Sequence, residues 1–155
     1  MFIRYYLELP LAAGRVEDAL AGSAARWLEA LAGDAGRRGE GLLAEVGVGP
    51  LGVGPRLARP VRVRLGEPVR LGATTSVPMT WEPAGGGGLL PTLDADLEVG
   101  PLGPARTHLA ISARYRPPLG PLGRAADRVL LHRVAEATVK DFLDRVGEAV
   151  ATMGP

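Results

Sequence analysis

Residues 106–116, with the sequence RTHLAISARYR, alternate between polar and apolar side chains. The loop PPLGPLG at 117–123 then leads into one long amphipathic segment, about residues 125–153. Alternation is typical of a strand with one buried face, and apolar side chains three or four residues apart are typical of a helix. At a rise of 1.5 Å per residue this helix would be about 40 Å long, enough to lie across an entire sheet. The stretch therefore predicts a curved antiparallel sheet closed by a C-terminal helix.

The predicted C-terminal helix has one apolar side and one charged side. Two pairs, Glu136 with Lys140 and Asp141 with Arg145, have the i, i+4 spacing that favours ion pairs on a helix surface. The apolar stripe is expected to pack on the sheet. It consists of Leu131, Val134, Ala135, Thr138, Phe142, Val146, Ala149, Val150 and Met153, and Val139 and Leu143 widen the apolar arc.

Residues 89–99, which precede the strand at 106–116, alternate between apolar and polar side chains in the same way. A short hairpin would join the two strands. A slip of one residue would turn the apolar face outward, so the charges on the solvent side are expected to fix the register. In the simplest register, Glu98 faces Arg106. The same register places Asp96 opposite His108.

The N-terminal half of the chain supplies the remaining elements. Alternation over residues 2–9 predicts a first strand, and helical spacing from Ala13 to Leu31 predicts a helix. Glycine disfavours helix interiors, so the glycines at positions 33, 36, 39 and 41 are expected to end that helix. Shorter strands are predicted at 42–48, 60–65, 68–72 and 75–83.

Composition narrows the class of protein. The chain has 155 residues, a normal size for one domain, so a single domain over residues 1–155 is expected. Lys and Arg number 18 against 17 Asp and Glu, and no basic run is present, which argues against nucleic acid as a partner. The chain has no Cys and therefore no disulfide or thiolate site. The N terminus has no leader pattern and no segment is apolar enough to span a membrane, so a cytoplasmic protein is the simplest interpretation.

The run Tyr115–Gly120, followed by Asp127–Leu131 and Val134–Leu143, resembles the last strand and final helix of bacterial members of the START-like, or SRPBCC, superfamily. That superfamily includes polyketide cyclases and lipid-transfer proteins, and the similarity in element order covers nearly the whole chain. It implies an α+β helix-grip fold, in which a curved antiparallel sheet wraps around the long C-terminal helix. Because the matching residues form the fold and are not a catalytic signature, they specify architecture better than chemistry.

In that superfamily a cavity between sheet and helix holds an apolar or amphipathic ligand, so the resemblance implies that this chain binds a small hydrophobic molecule such as a lipid. Tyr115 and Thr138 could each orient the ligand by one hydrogen bond, and Trp81 could stack on a planar ligand. The same side chains could instead fill a solid core. The candidate lining residues are Val77, Met79, Trp81, Leu93, Leu97, Leu109, Ile111, Tyr115, Leu131, Thr138 and Phe142.

No side chain stands in a pattern that demands catalysis, a metal or a cofactor, and none of the three is predicted. His108 could join Asp94 and Asp96 in a metal site, but charged pairs on an exposed sheet face are the commoner meaning of such a pattern. His132 lies at the edge of the helical stripe, where an imidazole could reach the cavity or extend to water, and packing at the surface is the expectation.

Three functions fit these observations. The first is binding of a small hydrophobic molecule without chemistry, with the glycine-rich loops 47–55 and 85–88 flanking the mouth of the pocket. The second is a polyketide cyclase or aromatase-like enzyme, which needs an inward-facing acid or base. The third is a protein-interaction module with a filled core. The sequence favours a protein without catalytic activity and leaves the oligomeric state open, a dimer included.

Overall fold

Six antiparallel strands and three helices make up the described part of the chain. The structure, a computed structural model, describes residues 2–21, 24–45, 61–83, 92–116 and 128–153. No helix in these ranges combines the length and the apolar character needed to cross a membrane. In chain order the elements are β1 (Phe2–Leu9), α1 (Ala13–Leu20), α2 (Ala24–Glu45), β2 (Val61–Leu65), β3 (Val69–Leu71), β4 (Thr74–Pro83), β5 (Thr92–Pro101), β6 (Thr107–Arg116) and α3 (Arg128–Thr152).

The strands form one sheet in the order β1-β6-β5-β4-β2, with β3 paired to β4. Side chains alternate between the two faces, as the sequence predicts. On β6, for example, Leu109 and Ile111 are buried, whereas Arg114 is exposed. The sheet therefore has an apolar inner face and an outer face that carries charges.

Helix α3 packs its apolar side on this inner face, and Phe142 and Leu143 are fully buried there. The predicted α+β helix-grip fold, a curved antiparallel sheet around a long C-terminal helix, is confirmed. At Gly147 the helix comes very close to β1. A Cβ atom added at Gly147 would lie 3.1 Å from Leu7 Cδ1 and 3.2 Å from Leu9 Cδ2. The absence of a side chain at this position thus permits the close approach.

The buried side of α3 includes Val139 and Leu143, as the widened apolar arc of the sequence predicts, and also Gly147. Helix α3 packs against α2 as well as against the sheet. At the C-terminal end the burial decreases: Ala149 is only half-buried, and Met153 is exposed. The helix is therefore covered on two sides, by the sheet and by α2, over most of its length.

The charged side of α3 departs from the prediction at one of its two pairs. The pair Asp141–Arg145 is confirmed, with Arg145 Nε donating to Asp141 Oδ2 at 2.6 Å. Lys140 does not pair with Glu136. Its Nζ lies 2.7 Å from Asp144 Oδ2 and over the ring of Tyr5, and the hydroxyl group of Tyr5 also donates to Asp144. Lys140 thus pairs with the following turn of α3 and contacts the Tyr5 ring of β1.

The predicted N-terminal helix is two helices in the structure. Helix α1 ends at Leu20, and Ala21 then adopts an extended backbone with its N–H bonded to Asp18 O at 3.2 Å. Apolar residues on both sides of this break are buried. Their spacing in the sequence is therefore the spacing expected of one continuous helix. The periodicity therefore identified the buried positions but not the break.

Helix α2 continues to Glu45, so the expectation that glycines end it is wrong. The strand predicted at 42–48 is also wrong for residues 42–45, because these residues belong to α2. Residues 46–48 lie outside the described ranges. Gly36 and Gly39 are buried within α2, which packs on α3 and β2. Tertiary packing therefore outweighs the low helix propensity of glycine.

The strands predicted at 60–65, 68–72 and 75–83 correspond to β2, β3 and β4, and residues 89–91 of the next predicted strand lie outside the described ranges. Strand β2 is an edge of the sheet. Its Val63 N–H donates to Glu29 Oε1 of α2 at 3.1 Å. A helix side chain thus satisfies a donor that would otherwise point away from the sheet.

The hairpin between β5 and β6 has a different register from the predicted one. Glu98 lies opposite Ala110 and Asp96 opposite Ser112. Strand β5 runs further than predicted, to Pro101, and the turn therefore lies later in the chain, with Leu102 N–H donating to Arg106 O at 2.9 Å. Gly103 supplies the positive φ of 91° that such a turn requires.

In this register, the outer-face charges Glu98 and Arg106 both pair with residues of β1. Arg4 donates to Glu98 Oε2 at 3.0 Å, and Arg106 pairs with Glu8. The predicted pair of Glu98 with Arg106 is therefore wrong. The charges still lie on the solvent side of the sheet, but they connect strands that are distant in sequence.

Candidate functional site

The residues predicted to line a pocket all lie on the inner face of the sheet or on the side of α3 that covers it. Their exposed fractions lie between 0 and 8%. All except Leu131 and Thr138 belong to one contiguous cluster of buried apolar side chains. The structure thus brings the predicted set together, and their role in binding stays a prediction.

Trp81, Leu93 and Tyr115 form one cross-strand row at the end of the inner face. Trp81 lies opposite Leu93, and Leu93 lies opposite Tyr115. The ring of Phe142 on α3 meets the Trp81 indole edge to face, with centroids 5.3 Å apart and an interplanar angle of 65°. Helix α3 therefore covers this end of the sheet.

A chain of polar groups leads from this row to the surface. The Tyr115 hydroxyl lies 3.3 Å from His132 Nδ1, and His132 Nε2 lies 3.2 Å from Glu136 Oε1. Tyr115 is buried, whereas the side chains of His132 and Glu136 are 35% and 55% exposed. Tyr115, His132 and Glu136, hereafter the polar chain, link the interior to water.

The environment of Tyr115 favours its neutral form. Burial of the phenol raises its pKa above the ordinary value, and the nearby negative charge of Glu136 raises the pKa further. Both causes disfavour a phenolate at this position. Tyr115 is therefore held as a hydroxyl group that can donate or accept a hydrogen bond.

The two other polar groups of the interior differ in their hydrogen bonding. The Thr138 hydroxyl donates to Val134 O of its own helix at 2.7 Å, so its proton is not available to a ligand. The Trp81 indole Nε1 is buried and has no acceptor among the described residues. Of these two groups, Trp81 Nε1 is therefore the donor that remains available to a ligand.

The sequence favours a surface position for His132 and pairs Glu136 with Lys140, so it does not predict the contact between His132 and Glu136. The i, i+4 spacing of the two residues on a helix was available as a signal. The inward phase of Tyr115 was recognised. What the sequence lacks is the rotation of α3 on the sheet, which decides that His132 meets the Tyr115 hydroxyl.

A groove of about 340 Å³ lies between α1 and strands β3 and β4, at the other end of the inner face. Leu20, Val77 and Val99 contribute its apolar surface. At its rim, the carboxylate of Glu17 accepts a hydrogen bond from the Thr75 hydroxyl at 3.1 Å. Of the residues predicted to line a pocket, only Val77 contributes to this groove.

A second groove, of about 590 Å³, lies on the outer face and is lined by Gly66 and by residues of β1, β2, β4, β5 and β6. Its walls include Arg64, Asp94 and Arg114. Met79 is the only predicted lining residue that borders it. This groove carries charged as well as apolar side chains and lies on the face of the sheet opposite to α3, so it is separate from the predicted ligand site.

The structure separates the residues of the hypothetical metal site. His108 lies opposite Gly100 and against the ring of Tyr6, whereas Asp94 pairs with Arg116 at 3.0 Å. Within the described ranges no three His, Asp or Glu side chains are placed to share a metal ion. The loops predicted to flank the pocket mouth, 47–55 and 85–88, lie outside these ranges.

Solved structures with a similar fold were found over nearly the whole chain. A conserved protein from Geobacillus kaustophilus is 12% identical, with 97% of this chain and 95% of that chain covered and a TM-score of 0.53. A hypothetical protein from Helicobacter pylori is 11% identical, with 97% and 88% covered and a TM-score of 0.50. An aromatase/cyclase from Streptomyces is 12% identical, with 97% and 93% covered and a TM-score of 0.48.

No protein-family model matches the chain, and no curated protein matches its sequence. At identities near 12%, the likeness to the first two solved structures concerns the fold alone. The chain thus has the helix-grip architecture, and its own residues have to supply the argument for function.

Proposed function

We propose that this chain is a member of the START-like superfamily and binds a small hydrophobic or amphipathic molecule between the inner face of the sheet and α3. One observation carries the proposal: a few polar groups converge at one end of an otherwise apolar inner face. Ligand sites are typically apolar surfaces with a small number of polar groups that fix the orientation of the ligand. Trp81 and the polar chain supply such groups.

The charge distribution indicates the chemistry of the ligand. The buried polar side chains of the described residues are Ser76, Thr107 and Thr138, none of which carries a charge. An ionised group in such an interior would lack a partner, which is costly. The buried part of the ligand is therefore neutral and largely apolar.

The experiment combines native mass spectrometry of freshly purified protein with titration of N-phenylnaphthylamine, a neutral fluorescent probe. A mass excess that disappears on denaturation, or saturable binding of the probe, supports the proposal. A bare mass together with no probe binding contradicts it and favours the interaction module with a filled core.

Two matched variants locate the bound molecule. Ala95 lies between Leu93 and Leu97 on the inner face and is 6% exposed, so Ala95→Phe adds a ring where the ligand would lie. Thr80→Phe adds the same ring to the outer face, where Thr80 is exposed. Loss of binding in the first variant and retention in the second are expected. Equal binding by both variants would place the probe elsewhere.

A second candidate function, general acid–base chemistry on a carbonyl compound, is favoured by the polar chain. The cyclase or aromatase alternative needs an inward acid or base, and Tyr115 with His132 and Glu136 meets this requirement. A base at this place would take a proton from the carbon next to a carbonyl group, and the resulting enolate would take a proton back.

Exchange of the methyl protons of methyl naphthyl ketone in deuterated water measures this reaction directly. Faster exchange with the wild type than with His132→Gln or Tyr115→Phe is expected for a catalyst. An exchange rate equal to that in buffer, with the ketone bound, would leave binding as the function.

A further inference from the structure

We propose that the interior ligand carries a neutral hydrogen-bond acceptor, such as a carbonyl or ether oxygen, which accepts the proton of Trp81 Nε1. This inference rests on the proposed binding function and names the chemical class of the ligand. Its starting point is that Trp81 is 1% exposed and that its Nε1 has no acceptor among the described residues.

The indole cannot relieve this deficit by itself. Its N–H is a donor only, with no second polar atom that could be exchanged by a rotation of the ring. Trp81 is also held on both sides of its strand, by Val63 on β2 and Leu93 on β5. The edge-to-face contact with Phe142 covers it from α3. The acceptor therefore has to come to the indole.

The neighbouring polar groups are engaged elsewhere. Thr138 donates to its own helix, and the Tyr115 hydroxyl contacts His132 Nδ1. Tyr115 is also two strands away from Trp81, on the far side of Leu93. The polar chain therefore does not supply the missing acceptor.

A molecule with an apolar body suits this place better than a water molecule does. A buried water molecule normally needs two to four polar partners. The residues identified around Trp81, which are Val63, Leu93 and Phe142, offer none from their side chains. A ligand whose apolar body packs against these side chains needs only one acceptor atom to satisfy the indole.

The acceptor is neutral because the described part of the interior holds no charge that could pair with an ionised group. In the described part of the interior no charged side chain is buried, so a carboxylate or phosphate would have no counter-charge beside Trp81. Ketones, esters, lactones and ethers meet both conditions. Pure hydrocarbons satisfy the apolar surface and leave the indole unpaired.

The test uses two probes of nearly the same shape, methyl naphthyl ketone and isopropenyl naphthalene, which differ in an oxygen atom against a methylene group. Their dissociation constants are measured with the wild type, Trp81→Phe and Trp27→Phe. The first substitution removes the N–H and keeps an aromatic ring. The second changes the half-buried tryptophan of α2 and serves as the matched control.

The affinity ratio of ketone to hydrocarbon is expected to fall roughly threefold to tenfold in Trp81→Phe, which corresponds to one neutral hydrogen bond, and to stay unchanged in Trp27→Phe. In a heteronuclear correlation spectrum of labelled wild-type protein, the indole N–H signal of Trp81 shifts downfield with the ketone only. Trp27→Phe assigns that signal. The spectrum gives an answer even if Trp81→Phe does not fold.

An unchanged ratio in Trp81→Phe, or the same indole shift with both probes, would overturn the inference while leaving ligand binding intact. If N-phenylnaphthylamine and both naphthalenes fail to bind the wild type, the proposed function itself fails and this inference fails with it. The two failures are thus distinguishable.

Discussion

The hydroxyl group of Tyr115 lies 3.3 Å from Nδ1 of His132, although the two residues belong to different elements. Tyr115 comes from the inner face of β6, and His132 from the first turns of α3. The contact joins sheet and helix at the end of the inner face where Trp81 also lies. Stability and chemistry of the protein are therefore expected to depend on the same few side chains.

Titration of Tyr115 is expected to make the protein less stable at alkaline pH. Its pKa in the folded state is raised, mainly by burial, and in the unfolded state it is near the ordinary value of about 10. Below pH about 10 Tyr115 is protonated in both states and does not make the stability depend on pH. As the pH rises from there through the raised pKa of the folded state, the free energy of unfolding decreases. Urea unfolding at a series of neutral to alkaline pH values measures this decrease in the free energy of unfolding.

Tyr115→Phe removes this titration, so its stability should fall less steeply than that of the wild type above pH about 10. Glu136→Gln should reduce the loss only slightly, because burial is the larger cause of the raised pKa. Parallel pH profiles of the wild type and Tyr115→Phe would contradict the prediction.

Phe142→Ala is expected to destabilise the protein by about 3 to 5 kcal/mol, the usual cost of removing a buried aromatic ring. Phe142 is fully buried and contacts the Trp81 indole. Val129→Ala in the same helix is the control, because Val129 is 59% exposed, and its effect should stay within about 0.5 kcal/mol. Denaturant unfolding checks both values. Similar effects of the two substitutions would mean that α3 is not tightly docked.

Gly147→Ala is expected to destabilise the protein although alanine favours helices. The new Cβ atom would meet Leu7 and Leu9 at 3.1 and 3.2 Å, and Leu9 is buried. The gain in helix propensity is about 1 kcal/mol, whereas crowding in a packed interface costs about 1 to 3 kcal/mol.

Gly33→Ala in α2 is the matched control for Gly147→Ala. An added Cβ atom at Gly33 has no heavy atom within 4 Å, so this substitution should stabilise by about 0.5 to 1 kcal/mol. Thermal unfolding of the two variants gives opposite signs if the contact of α3 with β1 is as close as described. Stabilisation by both would show that the helix can move away from β1 without cost.

A double-mutant cycle on Arg4 and Glu98 is expected to show a coupling of about 0.2 to 1 kcal/mol that weakens with added salt. Their side chains form a 3.0 Å ion pair on the outer face of the sheet. The same cycle on Glu98 and Arg106 should show no coupling, because Arg106 pairs with Glu8. Coupling of Glu98 to Arg106 instead would restore the simple hairpin register.

The sequence predicts the fold well where one short-range pattern decides the structure. Alternation identified β1, β5 and β6 and the direction in which Tyr115 points, because a strand has only two faces. The helical stripe of α3 was recognised for a similar reason. These predictions need no knowledge of which elements are neighbours.

Where tertiary contacts decide, the sequence is a poorer guide. The glycines of α2 were expected to end the helix, yet Gly36 and Gly39 are buried against other elements. The β5–β6 register depends on a tight turn at Gly103 and on charges of β1. Neither is visible from the two strands alone.

The candidate site shows the same division. The inward residues were predicted from their phase, but the unpaired state of Trp81 Nε1 is a property of everything around it. The contact of His132 with Tyr115 depends on how α3 is rotated on the sheet. Such facts require coordinates.

The carboxylate of Glu29 has a consequence for encounters between molecules. An edge strand with unpaired amide groups can recruit a strand from another chain and start intermolecular sheet growth. Because Val63 N–H on the β2 edge is already bonded to Glu29, this edge offers one hydrogen-bond donor fewer to a strand of another molecule. The Glu29 side chain, which connects α2 to β2, is thereby expected also to disfavour aggregation through this edge.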